Sequence, residues 1–242
     1  MTLIPQPSSL SLHPSAFSSI SRILCPLSIL ADREDVDVEL NNSLHIRAAA
    51  DRVDSPAVRT FIAWVDSALP HGRAISYLTD GPWSHQLIGF ELVDGSPVYY
   101  ESLYKTGFTG PHDLAKLTAW LAKNPARKFV KTFVPIDAAA SQAKRLAADR
   151  MAGNMGVGHQ AGYGKLQLLL MAAFERYGIP VPASPNHVVC SEAVSRLLCP
   201  EIDLRDHRRK SHDEVNPNSA WHRWLEIQAG HGAITAPAQP PA

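Results

Sequence analysis

The strongest structural signal in the sequence is a pair of β-type segments joined by a two-residue turn. The segments HQLIGFELV (85–93) and PVYYESL (97–103) are rich in apolar, aromatic and β-branched residues, and Asp94-Gly95 lies between them. Asp-Gly is a preferred pair at the centre of a tight hairpin because both turn residues adopt a positive φ. The sequence therefore predicts an antiparallel hairpin in the middle of the chain.

Further β-type segments flank this hairpin, and helical patterns follow it. AISYLT (74–79) and KFVKTFVPI (128–136) are predicted strands. A helix is predicted at 55–69, with Ser55 as its N-cap and Pro56 at its first position. Apolar spacing predicts five more helical segments, at 112–123, 137–153, 164–178, 190–198 and 215–227. The predicted fold class is α+β, with an antiparallel sheet packed against helices.

Composition divides the chain into three parts. Residues 1–54 begin with a polar, proline-bearing stretch and are expected to form an N-terminal arm that is flexible in part. Residues 55–229 are the predicted folded domain, and residues 230–242 are a flexible Pro-rich tail. The arm is the segment through which homo-oligomer or assembly contacts are expected.

Charge and hydropathy argue against two classes of partner. Lys+Arg and Asp+Glu balance at 23 each, so neither nucleic acid nor an anionic membrane is expected as the main partner. No apolar run reaches the ~18–20 residues of a membrane span. The three cysteines match no zinc template, and no metal or organic cofactor is expected. Because we find no export signal, a cytoplasmic or phage-associated location is expected.

Cys190 stands where a predicted strand gives way to a predicted helix. The β-type run NHVV (186–189) precedes it, and CSEAVSRLL (190–198) is amphipathic. A thiol in the first turn of a helix meets the positive end of the helix dipole and free backbone N–H groups, which lower its pKa and favour the thiolate. The same N–H groups can stabilise an oxyanion. Cys190 is therefore a candidate nucleophile, and the alternative is a small buried apolar residue.

His85 is the candidate base, and Glu101 is the candidate residue that orients it. His85 begins a predicted strand directly after the turn-forming DGPWS (80–84), where its ring can reach a facing helix end. A cysteine hydrolase needs such a base to take the thiol proton and later to protonate the leaving group. Counting along the predicted hairpin brings Glu101 towards the end where His85 lies, so that it can orient the imidazole. The alternative for Glu101 is a solvated strand residue.

Four segments, in this order, resemble the circularly permuted branch of the NlpC-type, papain-like cysteine hydrolases. They are SHQLIGFEL (84–92), VYYESL (98–103), GYGKLQLLL (162–170) and VVCSEAVSRLL (188–198). Ordinary papain-like enzymes have the cysteine helix before the histidine strand, whereas the permuted branch has the histidine first, as here. The stretch Val215-Asn216-Pro217 is also similar to a proline-led stretch of the family. The resemblance covers about residues 72–227.

The resemblance implies a papain-like α+β fold and assigns roles to particular residues. Cys190 is the implied nucleophile, His85 the base and Glu101 the polar residue that orients the ring. The residues beside them that would contact substrate are Tyr163, Ser84 and Ser191. No metal or organic cofactor is implied.

The implied activity is that of a cysteine peptidase or amidase. It would cleave an amide bond through an acyl-thiol intermediate, with a peptidoglycan-type cell-wall peptide as the first expectation for the substrate. One alternative is a lipid-directed acyl hydrolase or acyltransferase on the same fold, and another is a non-catalytic structural or virion assembly protein. An apolar trough beside Cys190 would favour acyl chains, whereas acidic and polar walls would favour a peptide with a free amine.

Overall fold

A five-stranded antiparallel sheet organises the fold. The computed structural model describes residues 55–103, 106–154, 161–163, 165–182 and 187–230. The strands are β1 (Ala57–Asp66), β2 (His85–Leu92), β3 (Pro97–Leu103), β4 (Gly107–Asp113) and β5 (Lys128–Phe133), in the spatial order β4-β3-β2-β1-β5. A two-stranded parallel sheet pairs β6 (Gly162–Tyr163) with β7 (His187–Val188).

Helices cover both faces of the five-stranded sheet. They are α1 (Pro70–Leu78), α2 (Leu114–Ala122), α3 (Ala138–Met151), α4 (Lys165–Tyr177), α5 (Cys190–Leu198) and α6 (Pro217–Gly230), with a one-turn 3-10 helix at His212–Glu214. On one face, Phe61 and Leu87 share a core with Leu114 and Leu121 of α2. The opposite face forms a larger core with residues of α3, α5 and α6. The α+β class expected from the sequence is therefore confirmed.

The predicted helix at 55–69 is wrong, because most of this segment is β1, an interior strand of the sheet. β1 pairs with β2 on one side and with β5 on the other. The residues from Thr60 to Val65 are all buried, with Phe61 and Ala63 in one core and Ile62 and Trp64 in the other. A strand that is buried on both faces has a nearly continuous apolar run, which an apolar helix segment can also have.

The predicted strand at 74–79 is also wrong, because this segment ends helix α1. Pro70 occupies the first turn of the helix, where its missing N–H costs nothing. Ile75 and Leu78 are partly buried, whereas Tyr77 between them is 84% exposed. Burial at a spacing of three residues is helical, and it outweighs the β-type composition of the segment.

Strand β4, which lies at the edge of the sheet, was not predicted from the sequence. It contains Gly107 and Gly110, both at positive φ, and Pro111. Glycine and proline are poor signals for a strand, but an edge strand tolerates proline because one side of its backbone has no partner strand.

The remaining elements agree with the sequence analysis. The hairpin is confirmed, but its turn is displaced by one residue: the N–H of Gly95 donates to the carbonyl of Leu92, so Val93 and Asp94 are the central residues, and Gly95 follows them at φ 80°. The segments expected at 112–123, 137–153, 164–178, 190–198 and 215–227 correspond to α2, α3, α4, α5 and α6. Among the described residues, no helix combines the length and apolarity that a bilayer span requires. The expected arm at 1–54 and the tail beyond residue 230 lie outside the described residues.

Gly89 provides a test of the packing around β2. A Cβ atom at this position would lie 2.0 Å from the ring of Phe61. Because the ring is fully buried and has no free space to move into, Gly89→Ala should lower the free energy of unfolding by about 1–3 kcal/mol, measured by urea denaturation. In the control Gly230→Ala the added methyl meets no atom within 4 Å, and stability should change by less than about 0.5 kcal/mol. Equal midpoints for the two variants would contradict this packing.

Candidate functional site

The candidate site lies where the first residues of β2 extend beyond their pairing with β3. The register between these strands runs from Ile88–Tyr100 to Glu91–Pro97, so His85 and Gln86 lie past its end. There the backbone N–H of Gln86 faces Cys190 and helps to lower the pKa of its thiol. The divergence of the two strands therefore creates the place that the thiol occupies.

Cys190 is the first residue of α5, and hydrogen bonds hold the chain on both sides of it. The hydroxyl of Ser102 on β3 donates to the carbonyl of Val188 at 2.7 Å. The hydroxyl of Ser191 donates to the carbonyl of Val215 at 2.6 Å. Cys190 is 6% exposed. The thiol thus has a fixed position at a helix N-terminus, as the sequence analysis expected.

His85 contacts both of the residues that the sequence analysis placed beside it. Its Nε2 atom lies 2.8 Å from Oε2 of Glu101. Its ring also faces Cys190, and each of these two groups shifts the pKa of the other. Because Nε2 is engaged by the carboxylate, Nδ1 is the nitrogen left for the thiol. The structure therefore brings Cys190, His85 and Glu101 together at one place.

The electrostatics of this chain favour a thiolate next to an imidazolium. Burial by itself lowers the pKa of His85, but the neighbouring Cys190 thiolate and then the Glu101 carboxylate outweigh it and raise the pKa to about 10. Burial by itself raises the pKa of Cys190, but the His85 imidazolium and the N–H groups of Gln86 and Ser191 lower it below its ordinary value. Each group therefore favours the charged form of the other.

Glu101 is fixed by a residue that the sequence analysis did not single out. The hydroxyl of Tyr99 hydrogen-bonds the Glu101 carboxylate, and burial followed by that carboxylate raises the pKa of Tyr99 well above its ordinary value. The ring of Tyr99 packs 5.2 Å from that of His112. Alternation along a strand places residues 99 and 101 on the same face, so this spacing was a signal that could have identified Tyr99.

Glu192 hydrogen-bonds the backbone at the start of α5, and its carboxyl group has little effect on the pKa of the Cys190 thiol. It is fully buried, its Oε2 accepts the backbone N–H of Val189 at 3.3 Å, and its Oε1 lies 2.7 Å from Arg196. Burial, opposed by Arg196 and assisted by nearby Asp213, raises the pKa of Glu192 to about 8. Glu192 is therefore mostly protonated at neutral pH and adds little negative charge near Cys190.

Asn218, in the first turn of α6, holds the turn that leads into His85. Its amide nitrogen donates to the Thr79 hydroxyl at 2.6 Å and to the Trp83 carbonyl at 2.9 Å, and its oxygen accepts the Trp83 N–H at 2.9 Å. A Cβ atom at Gly81 would lie 2.4 Å from the Asn218 side chain. These contacts join residues more than 130 positions apart, so no local pattern could reveal them.

The three expected substrate-contacting residues have different outcomes. Ser84 and Ser191 lie beside Cys190 and line the same small recess. Their hydroxyls are engaged within the protein: Ser84 donates to the carbonyl of Val65 at 3.1 Å, and Ser191 donates to Val215. The side chain of Tyr163 lies outside the described residues, although its backbone pairs with that of Val188. No group of three metal-ligating side chains occurs in the described part of the chain.

Comparison with known proteins identifies no relative. No family model, no curated protein and no solved structure matches this chain. The papain-like assignment therefore remains a prediction from the order of the motifs.

The charge state of Cys190 can be measured through its reactivity. In a Cys25→Ser, Cys199→Ser background, the pH profile of alkylation by iodoacetamide should have its midpoint well below the value of about 8.5 for an ordinary cysteine. His85→Gln removes the facing positive charge while the burial remains, so the midpoint should move above that value. The control His187→Gln changes an exposed histidine three positions from Cys190 and should leave the midpoint unchanged. A parent midpoint at the ordinary value would contradict the ion pair.

The turn held by Asn218 gives a second prediction. Asn218→Ala leaves the Trp83 N–H and the Thr79 hydroxyl without this partner, and should lower the free energy of unfolding by about 1–3 kcal/mol. It should also slow alkylation of Cys190 at neutral pH, because His85 follows the released turn. Asn124→Ala, which removes an exposed bond to the N–H of Ala126, should have neither effect. If Asn218→Ala left the alkylation rate unchanged, the turn would not position His85.

Proposed function

We propose that this protein is a cysteine hydrolase that acts through an acyl-thiol intermediate. The observation that carries the proposal is the apposition of Cys190, the first residue of α5, with His85, whose Nε2 atom lies 2.8 Å from the Glu101 carboxylate. Glu101 orients the imidazole through Nε2. The sequence order, with the histidine strand before the cysteine helix, supports a permuted papain-like site of the NlpC type.

The arrangement can carry out acyl transfer in two steps. The sulfur of Cys190 attacks the substrate carbonyl carbon, a C–S bond forms, and backbone N–H groups at the start of α5 stabilise the oxyanion. The C–N or C–O bond then breaks, and the leaving group takes the proton of His85. In the second step His85 takes a proton from water while the hydroxide attacks the thioester. The C–S bond breaks, the acid is released, and the charged pair is restored.

The first candidate substrate is an amide bond in a peptide, of the peptidoglycan type. The resemblance to NlpC-type enzymes supports this candidate, since cell-wall peptides are the substrates expected of that group. In this reaction the amine leaving group depends on the proton of His85, because an amide nitrogen leaves only once it is protonated. The raised pKa of His85 keeps that proton available at neutral pH.

The second candidate is acyl hydrolysis or acyl transfer on an ester, and a specific observation favours it. The recess beside Cys190 has apolar walls formed by Ile75, Met171 and Pro217. Such walls offer no partner for a free amine but suit the hydrocarbon part of an acyl group. A non-catalytic assembly protein is less well supported, because a buried ion pair contributes little net stability and an apolar pair would serve packing as well.

Labelling with a thiol-directed vinyl sulfone and turnover of model amides and esters test the proposal. Cys190→Ala should abolish both labelling and turnover, because the attacking sulfur is lost. Glu101→Gln should keep the labelling but lower kcat by at least about tenfold, because an amide holds the imidazolium less well than a carboxylate does.

The matched control is Glu91→Gln, which changes an exposed ion pair between Glu91 on β2 and Arg59 on β1. Turnover and labelling of this variant should equal those of the parent. If Cys190 were labelled no faster than a free cysteine near neutral pH, the proposed function would be wrong. If Glu101→Gln kept full turnover, Glu101 would have no part in the mechanism.

A further inference from the structure

The recess beside Cys190 has a composition that restricts what it can bind. Its apolar walls come from four residues on different elements, Ile75, Met171, Val189 and Pro217, and Cys190 lies at its side. Among the described residues, no Asp, Glu, Lys or Arg lines it. A charged group entering the recess would lose its hydration without gaining a partner of opposite charge.

Two of the polar side chains that line the recess belong to the segment before His85, and both are already bonded. The hydroxyl of Thr79 donates to the carbonyl of Ile75 at 2.8 Å and accepts from the Asn218 amide. The hydroxyl of Ser84 donates to the carbonyl of Val65 and accepts the N–H of Ser67 at 3.1 Å. These bonds fix the two side chains, and they engage the hydroxyl groups that a polar ligand would otherwise hydrogen-bond.

The two polar side chains on the opposite wall are engaged in the same way. The hydroxyl of Ser191 donates to the carbonyl of Val215. The amide nitrogen of Asn216 donates to Glu175 at 2.6 Å, and its oxygen accepts the N–H of Asn218 at 3.0 Å. The recess therefore offers a ligand mainly carbon surface next to the sulfur.

The size of the recess sets a second limit. Its cavity volume is about 10 Å³, which is the space of about one water-sized group. Met171 and Val189 are each 1% exposed and belong to one buried cluster, so this wall cannot give way without disturbing the core. Ile75 on α1 is only partly buried and forms the more adjustable wall.

We propose that this recess is the subsite for the substituent on the acyl side of the scissile bond, and that it accepts a small uncharged apolar group such as a methyl. The assignment rests on the proposed function, since it takes Cys190 as the attacking atom. The substrate class is then an amide or ester whose acyl part is a short acyl group or an alanine-sized residue. Long lipid acyl chains and charged side chains are excluded from this subsite by size and by desolvation, respectively.

Acylation by p-nitrophenyl esters of increasing chain length tests the subsite. The full chain carrying Cys25→Ser and Cys199→Ser is mixed with the acetate, the butyrate or the octanoate. The burst of p-nitrophenolate gives the acylation rate, and mass spectrometry of acid-quenched protein locates the thioester on Cys190. Acetate should react about a hundredfold faster than butyrate, because butyrate has two further methylenes and each one that does not fit costs about tenfold.

Variants of the walls separate the subsite from general effects on folding. Ile75→Ala enlarges the recess and should raise the ratio of the butyrate rate to the acetate rate about tenfold. Met171→Ala enlarges it from the other side and should shift the preference in the same direction. The matched control Leu78→Ala removes a similar side chain from the same helix but does not line the recess. It should keep the preference of the parent.

The outcomes distinguish the subsite from the proposed function. Fastest acylation by octanoate, or equal preferences in Ile75→Ala and Leu78→Ala, would overturn the subsite while Cys190 remained the nucleophile. Absence of any thioester on Cys190 with all three esters would overturn the proposed function and the subsite with it.

Discussion

The opposite charges of Cys190 and His85 are the interaction on which the rest of the site depends. Each group is taken out of water, which by itself would favour the neutral thiol and the neutral imidazole. Each shifts the pKa of the other towards the charged form, and the Glu101 carboxylate and backbone N–H groups add to these shifts. A single partner removed from such a buried pair leaves an uncompensated charge, which is far more costly than replacing the pair as a whole.

The fold supplies this interaction by bringing distant parts of the chain to one end of the sheet. His85 comes from the open end of β2, Glu101 from the neighbouring strand, and Cys190 from the start of a helix that packs on both strands. Hydrogen bonds from Asn218 and from Ser191 fasten the segments around them. The same bonds engage the polar groups of the recess, so the forces that hold the nucleophile also leave an apolar surface beside it.

The sequence predicted the central hairpin, the helix of Cys190 and the pairing of His85 with Glu101, because each depends on short-range spacing and on the register of one hairpin. Two neighbouring segments were assigned wrongly. Residues 55–69 were predicted as a helix but mostly form strand β1, and residues 74–79 were predicted as a strand but belong to helix α1. The first segment is apolar because the sheet buries it on both faces, and the second is helical because it follows Pro70 and exposes Tyr77. Neither tertiary environment is visible locally. Asn218 and the recess depend on contacts between segments far apart in sequence and could not be predicted.

The protonation of His85 is the property that most directly tests this account. Nuclear magnetic resonance of the ring nitrogens, followed over pH in the parent protein and in Cys190→Ala, reports it without relying on any substrate. We expect the ring to stay an imidazolium through neutral pH and to titrate at about 10 in the parent. In Cys190→Ala, which keeps the burial and loses the thiolate, the pKa should fall by several units. A ring that titrates near 6.5 in both proteins would contradict the charged pair and, with it, the proposed mechanism.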